Sequence, residues 1–266
     1  MSSNPTNIRA AGVAGTFYPA DAEELRRGVL SYLTAAGGED AEVPKAIVAP
    51  HAGYIYSGPI AGSAYASLAP RAGEVLRVVL LGPSHRVPFT GLAYSAAATF
   101  LTPLGALAVD REALAGIRDL PQVQCYEAPF EDEHSLEVQL PFLQLSLEDF
   151  RIVPLLVGEA DAAAVAQVMA RLWGGRETLI VVSSDLSHYL DYAGARAMDA
   201  ETSRAIEALR PEAIGHTQAC GWAPLSGLLR EAKRRGFKAR TLDLRNSGDT
   251  AGPRDQVVGY GAYVFL

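Results

Sequence analysis

The sequence predicts an α/β protein with a central, mostly parallel β-sheet covered by helices on both faces. Three observations carry that expectation. Short, largely apolar runs at 45–50, 77–82, 151–157 and 178–183 read as strands buried on both sides. Longer segments with helical spacing of their apolar residues separate many of them, which is the alternation a parallel sheet requires. Three of the five histidines, His51, His85 and His188, fall just past the end of such a run. Parallel sheets gather their ligand sites at those carboxyl ends.

Taken in order, Lys45-Ala-Ile-Val-Ala-Pro50 is a buried strand and 59–68 the helix that follows it. Arg77-Val-Val-Leu-Leu-Gly82 is a second strand of the same kind. Runs at 91–96 and 100–108 are shorter and fit a hairpin or an excursion at the sheet edge. Residues 110–117 read as a helix, and Val123 and its neighbours as a short strand. The amphipathic stretch 135–146 contains Pro141, which kinks a helix or marks a restart. A strand at 151–157, a helix at 160–172 with Asp161 near its start, and the strand Thr178-Leu-Ile-Val-Val-Ser183 come next. Two or three helices between 193 and 234 precede closing strands near 238–244 and 257–265. No linker or repeat interrupts this pattern, so residues 1–266 are expected to form a single domain.

Composition narrows the function. Lys and Arg number 23 against 30 Asp and Glu, a formal charge of −7. That balance argues against a nucleic-acid partner, whose phosphates call for a basic surface. The local basic run Lys233, Arg234, Arg235, Lys238 and Arg240 reads as the solvated outer face of a helix leading into a strand. The two cysteines, Cys125 and Cys220, are far apart and form no CxxC pair, which fits a reducing compartment. The opening stretch 1–9 is polar and lacks the apolar core of a signal peptide. No segment approaches the roughly 20 apolar residues of a membrane span. The expectation is a cytoplasmic protein without a membrane partner.

The chemistry concentrates at the strand ends: Pro50-His51-Ala52-Gly53-Tyr54, Pro83-Ser84-His85, and Ser184-Asp185-Leu186-Ser187-His188. Imidazole is both the commonest metal ligand and the usual proton carrier near neutral pH. Two imidazoles and one carboxylate on one face of a metal leave positions open for substrate and oxygen, an arrangement suited to ferrous iron. His51 and His85 would supply the imidazoles, with Asp185 or Asp249 as the carboxylate. His188 remains for proton transfer, as does His134, which sits in an acidic cluster ahead of a helix. Asp185 is expected to act as the N-cap of the following helix as well as in the site. Cys220 is a reactive thiol or a packed small hydrophobe. His216 lacks a strand-end setting and is read as structural. There is no GxGxxG, no P-loop and no GxSxG elbow.

Several landmarks occur together and in order: Gly15-Thr-Phe-Tyr-Pro19, Pro50-His-Ala-Gly-Tyr54, Gly82-Pro-Ser-His85, Glu133-His-Ser-Leu-Glu-Val-Gln-Leu-Pro141, Ser183-Ser-Asp-Leu-Ser-His188, Ala219-Cys-Gly221, Asn246-Ser-Gly-Asp249 and Val258-Gly-Tyr260. On these the chain resembles the Memo family. The resemblance implies a three-layer α/β/α sandwich like that of the class III extradiol dioxygenases, which use ferrous iron, Fe(2+), to open catechol-type rings. It implies that His51 and His85 bind metal, and that Asp185 and His188 line the pocket with His134 and Cys220 nearby. In animal members a cysteine completes the site; here Asp249 falls at or near its position. It also implies a pathway shared with a radical-SAM protein and a further partner. The expected function is therefore a metal-dependent, iron-based redox enzyme acting on a small-molecule substrate. The alternative is a non-catalytic scaffold that keeps the fold and binds a ligand or peptide. A metal-dependent hydrolase would use the same ligand types.

Overall fold

The computed structural model describes residues 8–37 and 43–266, so most of the polar opening stretch, 1–7, lies outside the described residues. The first strand, β1, is only Ile8–Arg9. Asp21 then starts a helix that the sequence pattern leaves unassigned: α1, Ala22–Ala36, where the Asp21 carboxylate accepts the Glu24 backbone N–H at 2.8 Å. Only Leu25 and Val29 of α1 are fully buried, and Tyr32 and Leu33 pack against the core beside them. Gly37 ends it with a φ of 64°, a backbone conformation that glycine adopts without strain.

β2 (Ala46–Ala49) is buried at every position. The helix after it, α2, spans Tyr54–Ala66; it begins earlier than 59 and holds Pro59 inside, so one helical hydrogen bond is forgone. β3 (Arg77–Pro83), β4 (Leu92–Tyr94), β5 (Thr99–Thr102) and β6 (Gly105–Ala108) follow. β5 and β6, both from the second of the two short runs, make a hairpin joined by β1, while β4, from the first run, enters the main sheet. Next are α3 (Arg111–Ala115) and β7 (Val123–Cys125). Pro141 marks a restart: a single tight turn over Glu137–Gln139 gives way to α4, Leu140–Ser146, with the proline in its first turn. The chain continues through β8 (Arg151–Val157), α5 (Ala162–Leu172, capped by Asp161), β9 (Thr178–Ser183) and a short β10 (His188–Leu190). It finishes with α6 (Tyr192–Glu207), α7 (Trp222–Arg235), β11 (Ala239–Asn246) and β12 (Val257–Phe265).

Among the described residues the main sheet runs β10-β12-β2-β9-β3-β8-β4-β7, with β11 also on β12. Its centre, β2-β9-β3-β8, is parallel as expected. The flanks make the sheet mixed, although β4 and β7 at one end pair parallel. β12 pairs antiparallel with β2, β10 and β11, and β4 pairs antiparallel with β8. The reason is in the connections: β11 returns into β12 without a crossover helix, and strands joined that way run antiparallel. Helices flank this sheet, with α1, α2 and α4 packed together in one group and α5 and α7 in another.

The α1–α2 contact depends on missing side chains. A Cβ on Gly62 would stand 2.7 Å from the Tyr32 carbonyl oxygen, and one on Gly58 would stand 2.5 Å from the Tyr32 ring. Gly62→Ala is expected to destabilise the protein by about 1–3 kcal/mol despite the better helix propensity of alanine. Urea unfolding checks it, and an unchanged or raised midpoint would mean that α1 is free to move away.

Candidate metal centre

β2, β9 and β3 are adjacent in the sheet, and each hands one part of the site to the loop beyond it. β2 leads into His51, β3 into His85, and β9 into the turn from Ser184 to His188. Their parallel alignment puts all three carboxyl ends on one edge. The segment from Glu133 to Gln139 lies against that edge and contributes His134.

The hydrogen bonds fix which nitrogen each imidazole presents. His51 is 1% exposed, and its Nδ1 lies 2.8 Å from Ser183 Oγ. The Ser183 hydroxyl donates to the Ser135 carbonyl at 2.6 Å and accepts from Gln139 Nε2 at 2.8 Å. Its one proton is used, so His51 Nδ1 must be the donor and Nε2 carries the lone pair. His85 Nδ1 is 2.9 Å from Glu133 Oε1, and His134 Nδ1 is 3.4 Å from the same oxygen. His188 Nδ1 donates to the Leu186 carbonyl at 2.8 Å. In all four rings Nδ1 faces a protein acceptor, which leaves Nε2 for a ligand or a proton.

One ligand nitrogen from each of His51, His85 and His134 lies within 4.8 Å of the others. Nitrogens around a single transition-metal ion sit roughly 3–3.5 Å apart, from bond lengths of about 2.1 Å, so small side-chain shifts would close the group on an ion. Glu133 is the organiser of this cluster. Besides the two rings, its carboxylate accepts the backbone N–H groups of His85 at 2.5 Å, His134 at 2.9 Å and Ser135 at 2.9 Å. His134 also stacks on Phe17, with ring centroids 4.3 Å apart. Phe17 belongs to a segment fastened by Glu137, which accepts from the backbone of Gly12 and Val13 and from the Tyr18 hydroxyl.

Burial sets the charge states. It pushes His51 well below the usual imidazole range, and the neighbouring His85 pushes in the same direction. His134 is lowered to about 4 by burial and by His51, against the opposing pull of Glu133. Burial works to raise Glu133, but its hydrogen bonds with His85 and the backbone win and hold it at about 2. Asp185 is raised by burial, with the His51 N–H at 2.7 Å opposing. Two of the clustered imidazoles therefore keep their lone pairs at neutral pH, beside a carboxylate that stays ionised and one that protonates more easily than usual.

The remaining candidates fall in three places. Asp185 and His188 line the same cavity as the cluster, a space of about 660 Å³. Asp185 does not cap the next helix, a correction to the dual role expected of it: α6 is capped by Asp191, while Asp185 Oδ1 is taken by His51. Cys220 is partly buried, with Sγ 3.3 Å from His51 Nε2 and accepting the Asp185 N–H at 3.3 Å. Burial and the nearby Asp185 raise its thiol pKa, which keeps it a protonated donor to His51. Asp249 lies apart from the histidine group: it is exposed, and its carboxylate accepts the Tyr192 hydroxyl at 2.5 Å and the Asn246 N–H at 3.0 Å. His216 is exposed on a loop. Residue-by-residue reading of the sequence gives no role to Glu133, Ser183 or Gln139. The available signal is the concentration of polar residues between Glu133 and Gln139, broken only by Leu136 and Val138, ahead of a largely apolar helix.

Comparison with known proteins agrees over the whole described chain. Residues 9–264 match the family model described as Memo-like protein. A MEMO1 family protein from Aeropyrum pernix is 39% identical, the alignment covering 96% of this chain and 98% of that protein. One from Aquifex aeolicus is 37% identical over 97% and 99%. Among solved structures, an uncharacterized protein from Escherichia coli K12 superposes with a TM-score of 0.51 over 84% of this chain and 100% of that one, at 12% identity. That likeness shows a shared α/β fold.

Proposed function

Because the chain belongs to the Memo-like family, we propose that its histidine pocket is a metal centre, with iron as the first candidate, and that the protein is a redox enzyme acting on a small molecule. The observation that carries this is the convergence of three ligand nitrogens within 4.8 Å, their rings oriented by Ser183 and Glu133. His51, His85 and His134 would hold the ion, and Asp249 keeps its capping role. A bound metal would supply Lewis-acid polarisation and, for iron, electrons.

The chain's own residues divide the rest of the work. The wall of buried side chains behind His51 excludes water from one side of the centre. His188, its Nδ1 taken by the Leu186 carbonyl, lines the cavity and is placed to exchange a proton with a bound substrate. Asp185, raised by burial, stores or returns a proton nearby. Cys220 occupies the His51 Nε2 lone pair until a ligand replaces it. Three imidazoles without a carboxylate also form the donor set that holds zinc for hydrolysis, so a zinc-dependent hydrolase is the second reading. Elemental analysis of protein prepared without oxygen and supplied with both metals tests the pair. Near-stoichiometric iron supports the first reading, bound zinc the second, and no metal at all moves the cavity to the class of ligand- or peptide-binding proteins.

Glu133→Gln keeps the side chain's shape but removes the charge that orients two ligands. Metal affinity is expected to fall about 10–100-fold, the usual effect of losing such a partner, measured by competition with a chelator. An unchanged affinity would show that the rings hold themselves.

The depressed imidazoles also predict how the metal-free protein responds to acid. His51 and His134 stay neutral when folded, whereas in the unfolded chain they take up protons near 6.5. Between that value and about 4 for His134, the unfolded state binds more protons. Their contribution to stability is complete above pH 6.5 and is lost as the pH falls through this window. Urea midpoints measured across the same window should decline; a flat profile would mean that these rings are more hydrated than the geometry indicates.

A further inference from the structure

We propose that the cavity beside the three histidines selects a planar carboxylate, with the Arg86 guanidinium as its anion-binding group and aromatic rings as its walls. This rests on the reading of that cavity as a substrate site. Phe17, Tyr56, Tyr189 and Tyr260 all line it, and aromatic faces favour flat ligands. Arg86 lines it too, and among the described residues no carboxylate, carbonyl or ring engages its side chain. Arg86 is exposed, so its guanidinium is open to a ligand entering from solvent. Asp185, the carboxylate lining the same cavity, is turned to the His51 backbone.

Tyr189 adds a second, independent sign of a ligand. It is 71% exposed, and its φ of 58° is one that residues with a side chain rarely adopt. Asp132 and Leu209 share that conformation, but of the three only Tyr189 lines the cavity. Here it projects a phenol at the mouth of the cavity, edge-on to His188 at 5.9 Å. A flat ligand seated there would cover this exposed ring. A guanidinium fork pairs with two oxygens of either a carboxylate or a phosphate, so charge decides between them here. No lysine or second arginine is present in the lining to neutralise a dianion.

Isothermal titration with benzoate, benzamide and phenyl phosphate tests the inference on wild type, Arg86→Gln and Arg86→Lys. Benzoate is expected to bind wild type about ten- to a hundredfold tighter than its neutral isostere benzamide, the scale of a hydrogen bond to a charged group. Arg86→Gln should remove that difference, and Arg86→Lys should restore part of it. Equal binding of benzoate and benzamide overturns the proposal, as does an Arg86→Gln variant with undiminished preference for benzoate, or no benzoate binding at millimolar concentration. Tighter binding of phenyl phosphate would reassign the site to phosphoryl groups. Metal content measured on the same samples separates the two claims. Wild type without metal overturns the metal reading alone, while metal without charge discrimination overturns the carboxylate alone.

Discussion

The double variant His51→Ala/His85→Ala is expected to lose metal entirely, from about one ion per chain to background. One imidazole, His134, would remain of the three nitrogens that converge within 4.8 Å, and a single neutral ligand cannot hold a divalent ion against water. The effect should appear in elemental analysis and as loss of any metal-dependent rise in melting temperature. His51 is buried, so its removal leaves a small cavity and a Ser183 hydroxyl without its ring partner. Circular dichroism and a retained cooperative unfolding transition guard against mistaking unfolding for loss of the site. Equal metal in variant and wild type would place the ion elsewhere and remove the basis of the proposed chemistry.

The second large effect concerns stability. Glu137→Leu is expected to cost about 2–5 kcal/mol. Glu137 is 5% exposed and accepts three hydrogen bonds: from Gly12 N at 2.8 Å, Val13 N at 2.9 Å and Tyr18 Oη at 2.7 Å. Leucine fills the volume but strands three donors, and a stranded buried donor carries its full desolvation penalty. The loss should also be local. Segment 12–18 would loosen, proteolysis there would quicken, and Phe17 would leave His134, loosening the histidine cluster at the same time. A loss below about 1 kcal/mol would show that the segment finds other partners for those donors.

Much of this architecture could be read in the sequence because burial on both faces leaves an unmistakable record. β2, β3, β8 and β9 are almost wholly apolar, and all lie within a residue or so of their expected bounds. The strand-end rule also places His51, His85, Asp185 and His188 just past the carboxyl ends of β2, β3 and β9. What escaped notice had weaker physics behind it. α1 buries only two residues fully, although Tyr32 and Leu33 pack on the core beside them and Asp21 caps it. β10 is three residues with a register shift, held by β12 and not by its own pattern. The sheet's antiparallel flank depends on how β11 returns, which no local periodicity encodes. The third nitrogen and its organiser, His134 and Glu133, lie in a loop ahead of a helix; only the folded chain shows that one carboxylate serves two rings. Asp249 had the right chemistry for a ligand, but a tight turn directs it to Asn246 and Tyr192.

The position of β2 has a kinetic consequence. It is an early strand of the chain, yet its partners are β9, which starts at Thr178, and β12, which starts at Val257. An apolar strand whose neighbours are this remote must wait for large loops to close before it is covered, and such topologies fold slowly. During that wait Ala46–Ala49 and the all-buried β9 are bare, sticky edges. The strand whose carboxyl end delivers His51 is thus covered on both edges only once β9 and β12 have paired with it.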